Sequence, residues 1–119
     1  MSIQLKRAYE APAAGDGVRI LVDRLWPRGC TREQLQLDQW LKEVAPSPEL
    51  RKWFHHTPDR FAEFRQRYEL ELAEEPVKKV KVAELRQLMR RQEITLVYGA
   101  KDVKHNHAVV LKEWLERER

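Results

Sequence analysis

Two short stretches of the chain decide its fold: residues 18–23 read Val-Arg-Ile-Leu-Val-Asp, and residues 94–98 read Ile-Thr-Leu-Val-Tyr. Both are rich in β-branched and apolar residues and show little alternation between apolar and polar positions. That pattern is typical of strands covered on both faces, as in parallel sheets. The first strand must end soon after Asp23, because Pro27 and Gly29 do not continue a central strand.

The segments between these strands favour helices. Ser47-Pro48-Glu49 and Thr57-Pro58-Asp59 each place a capping side chain before a proline and an acid, which is a common helix start. Pro76 opens another helix, and a last helix is predicted over about residues 104–118. The helix that opens at Thr57 has its apolar side chains at helical spacing, namely Phe61, Phe64, Tyr68 and Leu72.

A further helix is predicted after Thr31, because Gln34 stands at the spacing of a capping box. Its apolar face consists of Leu37, Trp40 and Leu41.

The order of elements predicts one α/β domain over residues 1–119. Residues 3–6 alternate in polarity and form a possible first strand. Strands that are apolar on both faces and separated by helices imply parallel pairing. We therefore predict a small, mainly parallel sheet of three or slightly more strands, flanked by about five helices.

Composition restricts the class of protein further. The chain has 23 Lys and Arg against 19 Asp and Glu, a net charge of +4, which is mildly basic. The single cysteine, Cys30, excludes an intramolecular disulfide and favours a cytoplasmic protein. No apolar run approaches the ~18 residues of a membrane span, so we expect no membrane association.

Polar residues gather after both strands, where ligands bind in parallel sheets. The first strand is followed by Asp23, Arg24 and Arg28, and the second by Lys101-Asp102 and His105-Asn106-His107. Guanidinium groups near a helix start favour phosphate or carboxylate. Histidine carries protons near neutral pH and lysine stabilises an oxyanion.

These residue types give a candidate site for an anion. Arg24 and Arg28 would hold the anion, Trp26 would stack on a flat ligand, and Asn106 would add a polar contact. For catalysis, His107 would carry the proton, Asp23 would orient it, and Lys101 would stabilise negative charge. The arrangement requires neither a metal nor a cofactor.

Structural roles are open for the same side chains. One arginine would pair with Asp23 to fix its loop, and Asp102 or Asn106 would cap the last helix. His55 and His56 are adjacent, so they diverge and favour a solvated helix end over a metal site, although His55 is able to reach the same cleft.

Three function classes fit these observations. The first is an enzyme or ligand-binding domain for a small anionic molecule of phosphate or nucleotide type. The second is a nucleic-acid-binding module that uses Arg86, Arg90 and Arg91. The third is a protein-interaction domain or homodimer with an exposed tryptophan surface. The sequence leaves the oligomeric state open.

The chain also resembles a known family. Residues 21–29, Leu-Val-Asp-Arg-Leu-Trp-Pro-Arg-Gly, resemble the signature of the YeaO-like branch of the bacterial domain of unknown function 488 family. Three further stretches match: residues 45–47 with 49–51, the aromatic residues Phe61, Phe64 and Tyr68, and Tyr98 with residues 100–101 and 106–108. The resemblance covers nearly the whole chain and implies a compact α/β cytosolic protein of uncharacterised activity.

Overall fold

The computed structural model describes residues 3–117, which form one parallel sheet with helices on both faces. The sheet order is β1-β4-β2-β3. Its strands are β1 (Ile3–Arg7), β2 (Val18–Leu21), β3 (Gln39–Trp40) and β4 (Ile94–Tyr98). Within these residues the α-helices are α1 (Arg32–Leu35), α2 (Pro48–Phe54), α3 (Phe61–Glu74), α4 (Pro76–Met89) and α5 (His107–Glu116). The predicted α/β class is confirmed.

The pairing of β2 with β4 is the centre of the sheet. The two strands run parallel, with Val18 opposite Ile94 and Leu21 opposite Val97. Neither strand exposes an apolar side chain substantially, and all five residues of β4 are buried. Because the strands are parallel neighbours, their carboxyl ends emerge side by side.

Alternate strand residues face two unequal cores, as the two-residue period of a strand requires. Ile20, Val22 and Leu96 belong to the larger core, which is filled by α2 to α5. Leu21 and Val97 point to the other face and pack with Leu35 of α1, Ala8, and the partly buried Leu37 and Trp40. None of the helices in residues 3–117 combines the length and the apolar character that a membrane span requires.

The helix predicted after Thr31 is much shorter than expected. The capping box forms, since Thr31 Oγ1 accepts from the Gln34 N–H at 3.1 Å, but Gln36 adopts left-handed backbone angles and ends α1 after one turn. Trp40 is instead in β3, opposite Leu21. The prediction that Leu37, Trp40 and Leu41 share a helix face is therefore wrong, because pairing to the sheet edge overrides the local helical pattern.

Two other helix boundaries differ from prediction. Pro58–Arg60 is a 3-10 turn that leads into α3, and the Thr57 side chain caps nothing. The last helix begins at His107 rather than residue 104, because the extended Asn106 is its N-cap. The starts at Pro48 and Pro76 are confirmed. The predicted end at residue 118 lies outside the described residues.

A buried ion cluster joins β1 and β2 through the loop between them. Asp16 is 2% exposed and lies 2.7 Å from Arg19 and 2.9 Å from Lys6. Burial alone raises the pKa of the Asp16 carboxyl, but hydrogen bonds from Lys6, the Ala13 N–H and Arg19 outweigh it and leave the pKa below 3.8. Arg19 is 4% exposed, so it depends on this carboxylate for charge balance.

We predict that Asp16→Asn lowers the free energy of unfolding by about 3 kcal/mol at pH 7, because Arg19 then stays buried without its counter-charge. A carboxyl whose folded pKa is lowered stabilises the protein above its unfolded pKa, and that contribution disappears as the pH falls through the folded pKa. The difference between wild type and variant therefore shrinks below about pH 4. Urea unfolding between pH 3 and 7 measures it.

The matched control is Asp59→Asn, which removes an exposed carboxylate and changes stability by less than about 0.5 kcal/mol. An Asp16→Asn deficit that stays constant from pH 7 to pH 3 would contradict the assigned role.

We also predict that Asn106→Ala costs about 2 kcal/mol of stability. Asn106 is 2% exposed, its Oδ1 accepts from the Val109 N–H at 3.0 Å, and its Nδ2 donates to the Asp102 carbonyl at 2.8 Å. Thr31→Ala removes an exposed cap from the one-turn α1 and costs about 0.5 kcal/mol. Equal losses for the two variants in chemical denaturation would show that Asn106 is not an essential cap.

Candidate functional site

The carboxyl ends of β2 and β4 meet through the Asp23 side chain. Its Oδ2 accepts a hydrogen bond from the Gly99 N–H at 2.8 Å, and its Oδ1 lies 3.2 Å from His107 Nε2. The Asp23 carbonyl accepts from Trp40 Nε1 at 2.7 Å. Asp23 therefore links the ends of both strands to β3 and to the start of α5.

The surroundings of His107 determine which ring nitrogen carries a proton. Its Nε2 lies 3.0 Å from the Val22 carbonyl and 3.2 Å from Asp23 Oδ1. Both neighbours are acceptors, so we assign the hydrogen to Nε2. Nδ1 is then the ring nitrogen without a hydrogen.

The Arg24 side chain is partly buried, and its two hydrogen bonds to backbone carbonyls are long. One terminal nitrogen lies 3.3 Å from the Pro46 carbonyl and 3.5 Å from the Ala45 carbonyl. Nε is buried and has no hydrogen-bond partner in the described part of the chain. Among residues 3–117 no carboxylate forms an ion pair with Arg24, so the alternative in which it pairs with Asp23 does not occur.

Tyr68 is buried against the same histidine. Its hydroxyl donates to the Val44 carbonyl at 2.6 Å, and its ring packs edge-on to His107 with 6.2 Å between centroids. Burial, with the negative charges of Glu71 and Asp23, raises the pKa of Tyr68 well above 10.0. The hydroxyl therefore stays protonated and fixes the loop before α2.

The loop before α5 is rigidly hydrogen-bonded. Backbone N–H groups of His105 and Lys104, with the His105 ring, lower the pKa of Asp102 to about 2. Burial, followed by the negative charge of Glu10, raises the pKa of Tyr98 at the end of β4. Of the two suggested caps of the last helix, Asn106 is the one that caps α5, whereas Asp102 accepts from backbone N–H groups of the preceding loop.

A cavity of about 200 Å³ lies where these elements converge, and we call it the strand-end pocket. Its apolar lining includes Leu25, Phe54 and Phe64. The titratable and amide side chains that line it are Asp23, Arg24, Arg51, His56, Asn106 and His107. The pocket thus combines several cationic or protonatable groups with one carboxylate that already has two polar neighbours.

The structure brings four of the sequence-predicted site residues together and places three elsewhere. Asp23, Arg24, Asn106 and His107 line the strand-end pocket, whereas Trp26, Arg28 and Lys101 do not.

Trp26 lies on another part of the surface. It lines a more open cavity of about 630 Å³ with Trp40, and its Nε1 donates to the Cys30 carbonyl at 2.8 Å. The Trp26 ring packs edge-on against Trp40 of β3, with 5.4 Å between centroids, and this contact holds it away from the strand-end pocket.

Arg28 and Lys101 are both exposed. The loop containing Arg28 is tied to Tyr9, whose hydroxyl donates to the Arg28 carbonyl at 3.0 Å. Lys101 belongs to the loop that precedes α5, and its side chain does not turn into the pocket. A residue that closely follows a strand end in sequence therefore does not necessarily have its side chain in the pocket.

Sequence reasoning missed Arg51 and His56, which reach the pocket from α2. The available signal was the short stretch of sequence between the helix start at Ser47 and the proline at position 58. The helix must end within that stretch, so its end was predictable to within a few residues. His56 lines the pocket and His55 does not. Both residues adopt left-handed backbone angles, which the sequence does not predict, so the direction of their side chains could not be predicted either. Among residues 3–117 no cluster of three or more His, Cys, Asp or Glu is arranged to bind a metal.

Comparison with known proteins gives a consistent family. A family model described as "Inactive DUF488-N3 subclade" matches residues 2–119. The chain is 47% identical over 115 residues to the uncharacterized protein YeaO of Escherichia coli strain K12, covering 97% of each chain. It is 42% identical over 113 residues to the uncharacterized protein Rv3073c of Mycobacterium tuberculosis strain H37Rv, covering 95% of this chain and 92% of the relative. No solved structure matches. With its signature residues gathered around the end of β2, the chain belongs to the DUF488 family as a YeaO-like protein.

Proposed function

We propose that this protein binds a small anionic ligand in the strand-end pocket and does not transform it. The observation that carries the proposal is Arg24, a partly buried guanidinium that lines the pocket without a carboxylate partner among the described residues. An arginine in such a position costs free energy unless an anion neutralises it, and its planar fork fits phosphate and carboxylate.

The electrostatics of the pocket favour the same ligand class. Arg51 also lines it and makes no ion pair within residues 3–117. Asp23 Oδ2 accepts a hydrogen bond from the Gly99 N–H, which partly compensates its charge. Its Oδ1 lies 3.2 Å from His107 Nε2 and has no hydrogen-bond partner among the described residues. The cations therefore outweigh the carboxylate, and the low-dielectric apolar walls strengthen their attraction for an anion.

Binding without turnover accounts for the role of Asp23 better than catalysis does. A carboxylate that bridges two strand ends and a helix start maintains the pocket's shape, and it has little freedom to act as a base. The word "inactive" in the description of the matching family model agrees with this proposal. In this proposal Asp23 and His107 are positioning residues, which hold the strand ends and the start of α5 together.

The other predictions remain predictions. They are catalysis by Asp23, Lys101 and His107, ligand contacts from Trp26 and Arg28, a nucleotide-like ligand, a cytoplasmic location, nucleic-acid binding and self-association. The arginines suggested for nucleic acid include Arg86, which donates to the Trp114 carbonyl at 2.7 Å and so joins α4 to α5. The Arg86 guanidinium therefore has a structural role, and that role does not support nucleic-acid binding.

We predict that Arg24→Gln weakens binding of inorganic phosphate or sulfate about tenfold or more, since a charge-assisted contact contributes about 1.5–3 kcal/mol. Arg28→Gln is the matched control, because it removes an arginine from the same loop outside the pocket, and its affinity stays within about twofold of wild type. Isothermal titration calorimetry with acetate, sulfate and inorganic phosphate measures both.

The thermal midpoint of each variant is recorded to separate binding from folding. If wild-type protein binds none of the three anions, or if Arg28→Gln loses as much affinity as Arg24→Gln, the proposed function is wrong.

A further inference from the structure

The two residues that reach the strand-end pocket from α2 indicate the chemical class of its ligand. Arg51 lies in the last turn of α2, and His56 is the second residue beyond its end. Both side chains are exposed and line the pocket, and neither has a hydrogen bond or ion pair within residues 3–117. They bring two further cationic or protonatable groups to a pocket that already has Arg24 and His107.

We propose that the strand-end pocket takes a phosphomonoester in its dianionic form, and that Arg51 and His56 complete its phosphate site. This inference rests on the proposed anion-binding function and specifies its ligand.

Charge is the first argument. Two permanently charged guanidinium groups, Arg24 and Arg51, line the pocket with one carboxylate, Asp23, whose Oδ2 accepts from the Gly99 N–H. A carboxylate ligand brings one negative charge, whereas a phosphomonoester has a second pKa of about 6 and carries nearly two at neutral pH. Three phosphate oxygens also offer enough acceptors for two arginine forks and an N–H of His56.

The backbone at the end of α2 is the second argument. His55 and His56 are consecutive non-glycine residues with positive φ, 45° and 51°. Left-handed backbone costs free energy in residues with a Cβ, and such strain concentrates where a side chain must be held in place for binding. His55 ends the helix, as a left-handed C-terminal residue commonly does. The second strained residue has no such capping duty, and its side chain is the one that lines the pocket.

The size and apolar side of the pocket are the third argument. At about 200 Å³ it is smaller than the roughly 300–1,000 Å³ of typical ligand sites, so it suits a phosphate with a small organic group. Leu25 lines it and is 59% exposed, which offers an apolar surface at the rim for that group. Free phosphate would leave this surface unused.

Three probes separate charge from shape: phenyl phosphate, benzoate and inorganic phosphate, titrated calorimetrically into the full-length protein at pH 7.5. Phenyl phosphate is expected to bind at least tenfold more tightly than benzoate, which has the same ring and one charge. It is also expected to bind more tightly than inorganic phosphate. Benzoate binding as tightly as phenyl phosphate would overturn the dianion assignment, and inorganic phosphate binding as tightly would overturn the ester.

Two glycine variants test His56. His56→Gly is expected to weaken phenyl phosphate binding at least fivefold while the thermal midpoint rises or holds, because glycine adopts positive φ without strain. His55→Gly relieves the same backbone strain outside the pocket, so its affinity should equal that of wild type. Arg51→Gln should also weaken phenyl phosphate more than benzoate. Unchanged phenyl phosphate affinity in His56→Gly would overturn the assignment of His56.

The outcomes also separate this inference from the function on which it rests. If phenyl phosphate and benzoate bind equally and Arg24→Gln weakens both, the anion site stands and its restriction to phosphomonoesters falls. If no anion binds at all, both fall.

Discussion

The parallel pairing of β2 with β4 is the constraint on which the rest of this molecule depends. It delivers the Asp23 carboxylate to the Gly99 N–H and brings the start of α5 close enough for His107 to meet the same side chain. A Cβ on Gly99 would stand only 3.1 Å from Asp23 Oδ2, so glycine allows this close approach. The strand-end pocket exists because two sequence segments more than seventy residues apart are neighbours in one sheet.

The two core strands could be predicted from sequence because their apolar, β-branched composition leaves few alternatives to a sheet covered on both faces. The helix starts at Pro48 and Pro76 could be predicted for a similar reason, since a capping residue before proline acts locally. Trp40 could not be assigned to a strand from sequence, because its position depends on pairing with Leu21 and no local pattern predicts that pairing. Arg19 was also unexpected as a buried residue, since its burial depends on Asp16 and Lys6.

The same distinction between local and tertiary causes applies to the residues of the candidate site. Asp23, Arg24, Asn106 and His107 are fixed by the strand ends or by the capped helix start, so position in the sequence predicts their position in space. Trp26, Arg28 and Lys101 lie outside the pocket. Their positions depend on the contact of Trp26 with Trp40, on the Tyr9 contact of the Arg28 loop and on the hydrogen-bonded loop around Asp102. Arg51 and His56 depend on where α2 ends and on two left-handed residues, which tertiary packing determines.

The proposed anion site has two sets of residues. Asn106 and Tyr68 use their polar groups in hydrogen bonds to neighbouring backbone, and Asp23 does so through Oδ2, so these residues maintain the pocket. Arg24 and Arg51 retain charges that the described residues do not neutralise.

The most direct test of the account is a two-dimensional ¹H–¹⁵N spectrum of the protein titrated with inorganic phosphate at constant ionic strength. The account predicts that the largest saturable shifts fall on the backbone amides of Arg24, Gly99 and His107, from three separate parts of the chain. Shifts confined to the end of α4 near Arg91, or no saturable shift, would contradict an anion site at the joined ends of β2 and β4.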